Sequence, residues 1–221
     1  MNKIFKFGED VKGYNIPVLN EREVRAAAGI LFVILFISIM IAGLKSDFLM
    51  IKYAITMFFI DILIRVLINP KYSPFLILGR LIVRNQTPEY VGAQQKKFAW
   101  VIGIILSGTV FVHLVVVNAF SPITGLGCLI CLIFLFFESA FGICLGCIVY
   151  KWIYKEKAQY CPGEVCEVKS KQDIQKTSGI QLLIVLLFIT FISVTFYLLK
   201  DGYNKHPYDL FGLENTEQAI K

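Results

Sequence analysis

The stretch Ile123–Tyr150, ITGLGCLICLIFLFFESAFGICLGCIVY, decides the fold of this chain. A membrane-spanning helix needs about 20 consecutive, predominantly apolar residues, and this stretch is long enough and apolar enough to qualify. It nevertheless contains one carboxylate, Glu138, and two C-x-x-C pairs, Cys128/Cys131 and Cys144/Cys147. A simple membrane anchor needs none of these groups, so the stretch predicts a spanning helix that also carries chemistry.

The composition of the whole chain indicates the same class of protein. The 221 residues are 57% hydrophobic and 17% charged, whereas a soluble domain averages about 45–50% apolar and 25% charged. The apolar residues lie in blocks, which is typical of a multi-pass membrane protein. The net charge of +6 therefore reflects basic residues in membrane loops, and a nucleic-acid-binding function is excluded.

The sequence also excludes several enzyme classes. It has no G-x-S-x-G, H-E-x-x-H or P-loop motif, which sets aside the corresponding hydrolases, metalloproteases and kinases. No quinone or haem site is evident, and the sequence requires no cofactor. The first 25 residues lack the basic and apolar regions of a cleavable signal peptide, so we expect none.

Five apolar blocks predict an all-α, polytopic membrane bundle. The predicted spans are Ala26–Leu44, Phe48–Ile68, Phe98–Val117, Ile123–Tyr150 and Ser178–Leu199. Short links join the first four spans into two antiparallel hairpins, which form a four-helix core. The predicted regions are an N-terminal tail (1–25), the four-helix membrane domain (26–150), a cysteine-containing loop (151–177), a fifth, C-terminal transmembrane helix (178–199) and a final tail (200–221).

A further short helix is predicted between the second and third spans. Phe75–Asn85 follows turn-forming Asn-Pro and Ser-Pro pairs and is too short to cross a bilayer. Arg80 and Arg84 are four residues apart, so they share one helix face, and the other faces are Leu, Ile and Val. This pattern predicts an interfacial helix, with a short buried loop helix as the alternative.

Lysine and arginine predict the orientation. Residues 1–25, 69–97 and 151–176 hold five, five and six of them, sixteen in all, whereas the links and tail predicted for the other side hold four. The positive-inside rule then places the N-terminus in the cytoplasm and the C-terminus outside.

Three charged residues of the bilayer interior are predicted to meet. At about 1.5 Å of rise per residue, Asp61 and Arg65 of span two lie at a similar depth to Glu138 of span four. Charges inside a bilayer are costly and normally pair. We therefore predict one buried ionic cluster of these three residues, which is either functional or a structural lock between two helices.

Cys128, Cys131, His113 and Lys52 are predicted toward the outer side. A histidine near a thiol could act as its base, although a lone intramembrane histidine more often bonds a neighbouring helix. The outer cysteines lie in an apolar run, where cysteine commonly serves as a small buried hydrophobe. We expect Lys52 to snorkel to the interface.

Cys144-Leu-Gly-Cys147 is the strongest chemical motif. C-x-x-C pairs can contain an activated thiol, and Gly142 and Gly146 leave room for a neighbouring backbone. On a regular helix, Cys144 would lie about 120° around the axis from Glu138. Either the helix distorts near Gly142, or Glu138 does not serve the thiols.

Cys161 and Cys166 lie in the predicted cytoplasmic loop and flank a Pro-Gly turn that could bring them together. In a reducing compartment they would not form a permanent disulfide, which leaves a redox pair, a sulfur carrier or half of a metal site. The spacing allows a four-sulfur zinc site with Cys144 and Cys147. We do not expect a metal there, because the second knuckle is long.

Several motifs of the chain match those of a known family. The matching residues are Asp61-Ile-Leu-Ile-Arg65, Asn69-Pro70, Ser73-Pro74-Phe75, Arg80, Lys96-Lys97-Phe98-Ala99 and Glu138-x-x-x-Gly142-x-Cys144-x-Gly146-Cys147-x-x-Tyr150. Over about residues 18–152 the chain resembles the bacterial membrane family called domain of unknown function 4395. The resemblance implies a four-helix domain in the bacterial cytoplasmic (inner) membrane. Some relatives occur beside or joined to rhodanese-like or thioredoxin-like proteins, which implies sulfur or thiol chemistry.

We favour a thiol-redox or sulfur-relay function because the chain has three cysteine pairs. Cys144 or Cys147 would attack and the other would resolve, with Glu138 or Asp61 taking up the proton. Cys161 and Cys166 would pass electrons or sulfur to a soluble rhodanese-like or thioredoxin-like partner.

Two other functions are compatible with the sequence, which also leaves open whether the protein is an enzyme. One is a small transporter for a sulfur compound or a metal ion, lined by Asp61, Arg65 and Glu138 and possible as a homo-oligomer. The other is a membrane assembly subunit without catalysis.

Overall fold

The computed structural model describes residues 7–12, 14–154, 176–205 and 207–209. In this part of the chain there are seven α-helices and four short β-strands, so the predicted all-α bundle is confirmed. In chain order the elements are β1 (Val18–Asn20), α1 (Glu21–Lys45), α2 (Leu49–Leu63), α3 (Pro74–Val83), β2 (Tyr90–Gly92), α4 (Ala93–Phe111), β3 (Ala119–Phe120), α5 (Pro122–Phe136), α6 (Leu145–Tyr154), α7 (Gly179–Tyr203) and β4 (Tyr208–Asp209). Helices α2, α4 and α5 each continue into a π-helical turn, which covers Ile64–Ile68, Val112–Val116 and Phe137–Phe141 respectively.

Within the described residues, four helical segments are long and apolar enough to cross a membrane. They are Glu21–Lys45, Ala93–Val116, Pro122–Phe141 and Gly179–Tyr203. The remaining predicted span is helical over residues 49–68 but contains Lys52, Asp61 and Arg65, all of which are buried. The protein is therefore a multi-pass integral membrane protein whose second helix carries its charges inside the bundle.

Serine–proline pairs start two of the helices. Ser73 Oγ accepts a hydrogen bond from the N–H of Leu76, and Ser121 Oγ accepts one from the N–H of Thr124. The proline that follows each serine lies in the first helical turn, where a missing N–H leaves no hydrogen bond unmade. The Ser73–Pro74 pair thus fixes the start of α3 as well as the turn before it.

Helix α3 packs against α1, and its buried surface differs from the prediction of an interfacial helix. Seven of its ten residues are buried, including Arg80, whereas Arg84 is exposed. Arg80 Nε donates to Glu23 Oε2 of α1 over 3.0 Å. The two arginines, predicted on one helix face, therefore have different environments, because a carboxylate of α1 draws Arg80 into the protein. The short buried helix that the pattern also allowed matches this packing.

The predicted fourth span is two helices and not one. The π turn after α5 ends at Phe141, and Gly142 adopts a φ of 65°, a left-handed conformation that favours glycine. The chain resumes as α6 at Leu145. The prediction of one continuous helix over Ile123–Tyr150 is therefore wrong, and the distortion near Gly142 that the angular argument allowed is present.

The links between the helices gather at two ends of the bundle. At one end, β3 pairs in parallel with β4, and Lys52 Nζ donates to Asn118 Oδ1 and to the carbonyl oxygen of Lys205. At the other end, β1 pairs with β2, and Gln181 Nε2 donates to the carbonyl oxygen of Lys71. This grouping agrees with the alternation of sides predicted from the lysine and arginine count. Which end faces the cytoplasm stays a prediction.

Helix α6 crosses α4 in very close contact at Gly146. A Cβ atom on Gly146 would lie 2.4 Å from the Cβ and 2.6 Å from the Cα of Ala99. Such short contacts are not tolerated between carbon atoms, so the two backbones can approach this closely only because residue 146 has no side chain.

We predict that Gly146→Ala lowers the free energy of unfolding by roughly 1–3 kcal/mol, the usual cost of inserting a methyl group into a packed contact. Gly43→Ala in α1 is the matched control, because no atom lies within 4 Å of a Cβ built there. Thermal unfolding of the purified proteins in detergent measures both changes. Equal unfolding midpoints for the two variants would contradict the close crossing.

Candidate functional site

Asp61 and Arg65 form an ion pair in the interior of the bundle. Arg65 Nε donates to Asp61 Oδ2 over 2.7 Å. Asp61 Oδ1 accepts from Ser73 Oγ over 2.6 Å and from the N–H of Phe75 over 3.0 Å. On its other side, Arg65 Cζ lies 5.1 Å from the centroid of the Trp100 ring, a cation–π contact. The pair therefore joins α2 to the start of α3 and to α4.

Glu138 does not belong to this pair, so the prediction of one three-residue cluster is wrong. Its Oε1 accepts from Nζ of Lys96 in α4. The same ammonium group lies 3.0 Å from Oε1 and 2.8 Å from Oε2 of Glu21 in α1. The apolar pattern of the sequence puts Lys96 in a loop outside the predicted spans, so it does not indicate this residue as a partner for a buried carboxylate. The three charges of the predicted cluster thus fall into two separate ionic clusters, Asp61–Arg65 and Glu21–Lys96–Glu138.

Cys144 lies in the break between the π turn and α6. Its carbonyl oxygen accepts from the N–H groups of Cys147 and Ile148 over 3.0 and 3.2 Å. Its Sγ also accepts from the N–H of Cys147, over 3.3 Å. The sulfur therefore occupies the capping position at the N-terminus of α6. Lys96 is close enough to interact electrostatically with both thiols.

A cavity of about 70 Å³ connects the two ionic clusters with the thiols. Arg65, Trp100 and Glu138 line it together with Cys131 and Cys144, and most of its other lining residues are apolar. A cavity needs about 10–15 Å³ to hold one water molecule, so this one has room for several waters or one small solute. Cys144, only 5% exposed, thus borders a space that a small molecule can occupy.

The Cys128/Cys131 pair is buried in α5. Cys128 and Cys131 are 3% and 2% exposed, and both are free thiols, as are Cys144 and Cys147. Cys131 borders the cavity of Cys144. Cys128 borders a second cavity, of about 190 Å³, which Phe48 and Phe120 also line.

His113 and Lys52 have different partners from those considered in the sequence. His113 Nδ1 lies 3.2 Å from the carbonyl oxygen of Thr109, one turn earlier in its own helix. Lys52 is 2% exposed, and its Nζ donates to Asn118 and to the carbonyl oxygens of Tyr203 and Lys205. The Lys52 ammonium group thus reaches the links at one end of the bundle, where the end of α7 folds over it and supplies acceptors; that this end lies at the membrane interface stays a prediction.

Cys161 and Cys166 lie outside the described residues, so their pairing and the four-sulfur site with Cys144 and Cys147 stay predictions. Among the residues that the structure does describe, no group of three or more His, Cys, Asp or Glu side chains is placed to hold a metal ion.

Sequence reasoning missed Lys96 and Glu21 as members of the site. Both lie in the first turn of a helix that begins before the predicted apolar span, α4 at Ala93 and α1 at Glu21. A signal for Glu21 was present, because Asn20 caps α1 through a hydrogen bond from the N–H of Arg22, and acidic residues favour the first turn after such a cap. Apolar periodicity alone does not reveal these polar first turns.

The part of the chain that holds both ionic clusters and the thiols of α5 and α6 matches a known protein family. The sequence model described as domain of unknown function 4395 matches residues 19–155. The chain belongs to this family. No curated protein and no solved structure matches the chain. The family region ends just after α6, so it contains both ionic clusters and the four cysteines of α5 and α6, whereas α7, Cys161 and Cys166 lie beyond it.

We predict that Asp61→Asn lowers the free energy of unfolding by about 3–5 kcal/mol, because Arg65 would remain buried without a counter-charge. Arg65→Gln, which leaves the carboxylate alone, should cost a similar amount. The double variant should cost less than the sum of the two, since it leaves no unpaired charge. Denaturant or thermal unfolding in detergent measures all three, and strictly additive losses would contradict a paired interaction.

Proposed function

We propose that this member of the family is a thiol-redox or sulfur-relay protein of the bacterial inner membrane, in which Cys144 attacks and Cys147 resolves. The observation that carries the proposal is the position of the Cys144 sulfur at the start of α6, where it accepts the N–H of Cys147. The partial positive charge of a helix N-terminus stabilises a thiolate. Cys147 lies one turn inside α6, where the second thiol of a C-x-x-C pair can reach the first.

The proposed reaction is a thiol–disulfide exchange. The Cys144 thiolate attacks a disulfide or persulfide of the partner, a sulfur–sulfur bond to Cys144 forms, and the other partner sulfur leaves as a thiolate. Cys147 then attacks the Cys144 sulfur, which closes the Cys144–Cys147 disulfide and releases the bound group as a thiol or as hydrogen sulfide. Two electrons pass from the dithiol to the partner.

Glu138 is the proposed acceptor for the protons of the two thiols. It borders the same cavity as Cys144 and shares the ammonium group of Lys96 with Glu21. Asp61 is a poorer choice, because both of its oxygens already accept hydrogen bonds from protein groups. Lys96 would act as a positioning residue that holds Glu138 beside the thiols.

The partner that we propose is a soluble rhodanese-like or thioredoxin-like protein on the cytoplasmic side, which would deliver the disulfide or persulfide to α6.

A transporter for a sulfur compound or a metal ion would place different demands on the same residues. An ion passing Asp61 would have to displace Arg65, Ser73 and the N–H of Phe75 from its carboxylate. A non-catalytic assembly subunit would not depend on the identity of Cys144 or Cys147.

We predict that the two single cysteine variants behave differently toward an aromatic disulfide reagent. Cys147→Ser should accumulate a mixed disulfide on Cys144, because the resolving thiol is gone. Cys144→Ser should carry at least about tenfold less adduct on Cys147, which lacks the capping position of the first thiol. Intact-mass measurement and peptide mapping of the purified protein quantify both adducts, and each variant is the matched control of the other.

Equal adduct on the two variants would contradict the assignment of Cys144 as the attacking thiol. No adduct on either one, under disulfide and persulfide donors alike, would contradict the proposed thiol chemistry as a whole.

A further inference from the structure

Cys128 and Cys131 have no part in the reaction above, yet their positions relate them to it. Both thiols are free and almost fully buried in α5. Cys131 and Cys144 line the same cavity. One turn earlier in the same helix, Cys128 borders the second cavity. The two thiols of this C-x-x-C pair therefore face two different spaces.

The second cavity lies toward the opposite end of the bundle from α6. Phe48 and Phe120 line it, and they belong to the links that precede α2 and α5, where β3 pairs with β4. The first cavity lies beside the start of α6 and Glu138. The Cys128/Cys131 pair of α5 therefore lies between the second cavity, at one end of the bundle, and the first cavity, beside Cys144.

We propose that Cys128 and Cys131 form a second redox dithiol, which exchanges its disulfide with Cys144 and Cys147 across the shared cavity and so carries electrons between the two ends of the bundle. This inference rests on the proposed thiol chemistry of Cys144 and Cys147. In the relay the exchange at the α6 end runs in the reverse sense, because thiol–disulfide exchange is reversible: a soluble dithiol protein supplies electrons at the α6 end, and a small-molecule disulfide accepts them at the other end.

The local geometry of α5 permits the outer disulfide. Residues three apart on a helix have Cα atoms about 5 Å from each other, within the range of about 4.4–6.8 Å that disulfides span. The alternative is that both cysteines serve as small hydrophobic residues. That alternative explains their burial, but it gives no reason for one thiol of the pair to border the cavity of Cys144 and the other to border a second cavity.

The exchange balances in two steps. The Cys144 thiolate attacks the Cys131 sulfur of a Cys128–Cys131 disulfide, the Cys131–Cys144 bond forms, and Cys128 leaves as a thiolate that takes up a proton. Cys147 then attacks Cys144, the Cys144–Cys147 bond forms, and Cys131 leaves and takes up a proton. The two protons lost by the inner dithiol match the two gained by the outer one.

Two further reactants complete the cycle. A dithiol protein of the thioredoxin-like class reduces Cys144–Cys147 at the α6 end. A small-molecule disulfide that enters the second cavity reoxidises Cys128 and Cys131. The net result is the transfer of two electrons from the dithiol protein to the small disulfide, with the four cysteines returned to their starting state.

The test uses the full chain, purified in detergent, with Cys161→Ala and Cys166→Ala in every variant. The first variant adds Cys128→Ala and Cys147→Ala and keeps only the two thiols that share the cavity. Its matched control adds Cys131→Ala and Cys147→Ala and keeps Cys128 and Cys144, which border different cavities. After treatment with diamide, mass spectrometry of alkylated peptides measures the intramolecular disulfide.

We expect at least about fivefold more disulfide in the first variant than in its control, because exchange requires direct approach of the two sulfurs. A first variant that forms no more disulfide than the control would overturn the relay. A third variant, with Cys128→Ala and Cys131→Ala, keeps Cys144 and Cys147 and separates the two proposals. If the third variant oxidises and the first does not, the relay is wrong and the proposed function stands; if neither oxidises, both are wrong.

Electron transfer is measured in the protein that keeps all four thiols of α5 and α6. The oxidised protein is treated with a reduced thioredoxin-like dithiol protein, and reduction of Cys128–Cys131 is followed by timed alkylation. Cys144→Ala should slow that reduction by at least about tenfold, since the electrons would have no route through Cys144. Equal rates with and without Cys144 would overturn the relay, whatever the cross-linking shows.

Discussion

Burying an ammonium group among apolar helices costs free energy unless opposite charges surround it. The candidate site depends on how this cost is offset for Lys96. Its Nζ donates to Glu21 of α1 and to Glu138 of the π turn after α5, while Lys96 itself belongs to α4. Removing one member of such a group leaves an uncompensated charge in the interior. The three elements must therefore keep their relative positions, and the π turn is held in place directly before the chain breaks.

The chain break at Gly142 creates the candidate site around Cys144. After Gly142 turns the chain out of the π turn, the N–H of Ile143 still bonds the carbonyl oxygen of Phe137 over 3.0 Å, so the turn closes on itself before α6 begins. The Arg25 guanidinium of α1 lies 3.2 Å from the position that a Cβ of Gly142 would occupy. Helix α1 thus contacts the broken segment through Arg25 and, by way of Lys96, through Glu21. A new helix start inside the bundle is what brings a backbone N–H to the Cys144 sulfur.

The sequence predicted the helices well because their apolar runs are long, but it predicted side-chain partners poorly. Depth along a helix follows from counting residues, and Arg65 and Glu138 do border one cavity as that counting suggested. Direction around the helix does not follow from counting once a π turn and a glycine break intervene, so the pairing of Glu138 with Lys96 was missed. Lys52 shows a second limit. Two of its acceptors are the carbonyl oxygens of Tyr203 and Lys205, which lie far along the chain. No local sequence pattern predicts that contact.

The two ionic clusters, Asp61–Arg65 and Glu21–Lys96–Glu138, differ in how many structural bonds a proton would break. Asp61 uses both oxygens to bond Arg65, Ser73 and the N–H of Phe75, so protonating it would break bonds that connect α2 to α3. The second cluster has two carboxylates for one ammonium group. A proton added there neutralises an excess negative charge, and Lys96 can keep its bond to the other carboxylate. Glu138 of this cluster borders the cavity of Cys144, so the cluster that can take up a proton with less disruption of the fold also lies beside that thiol.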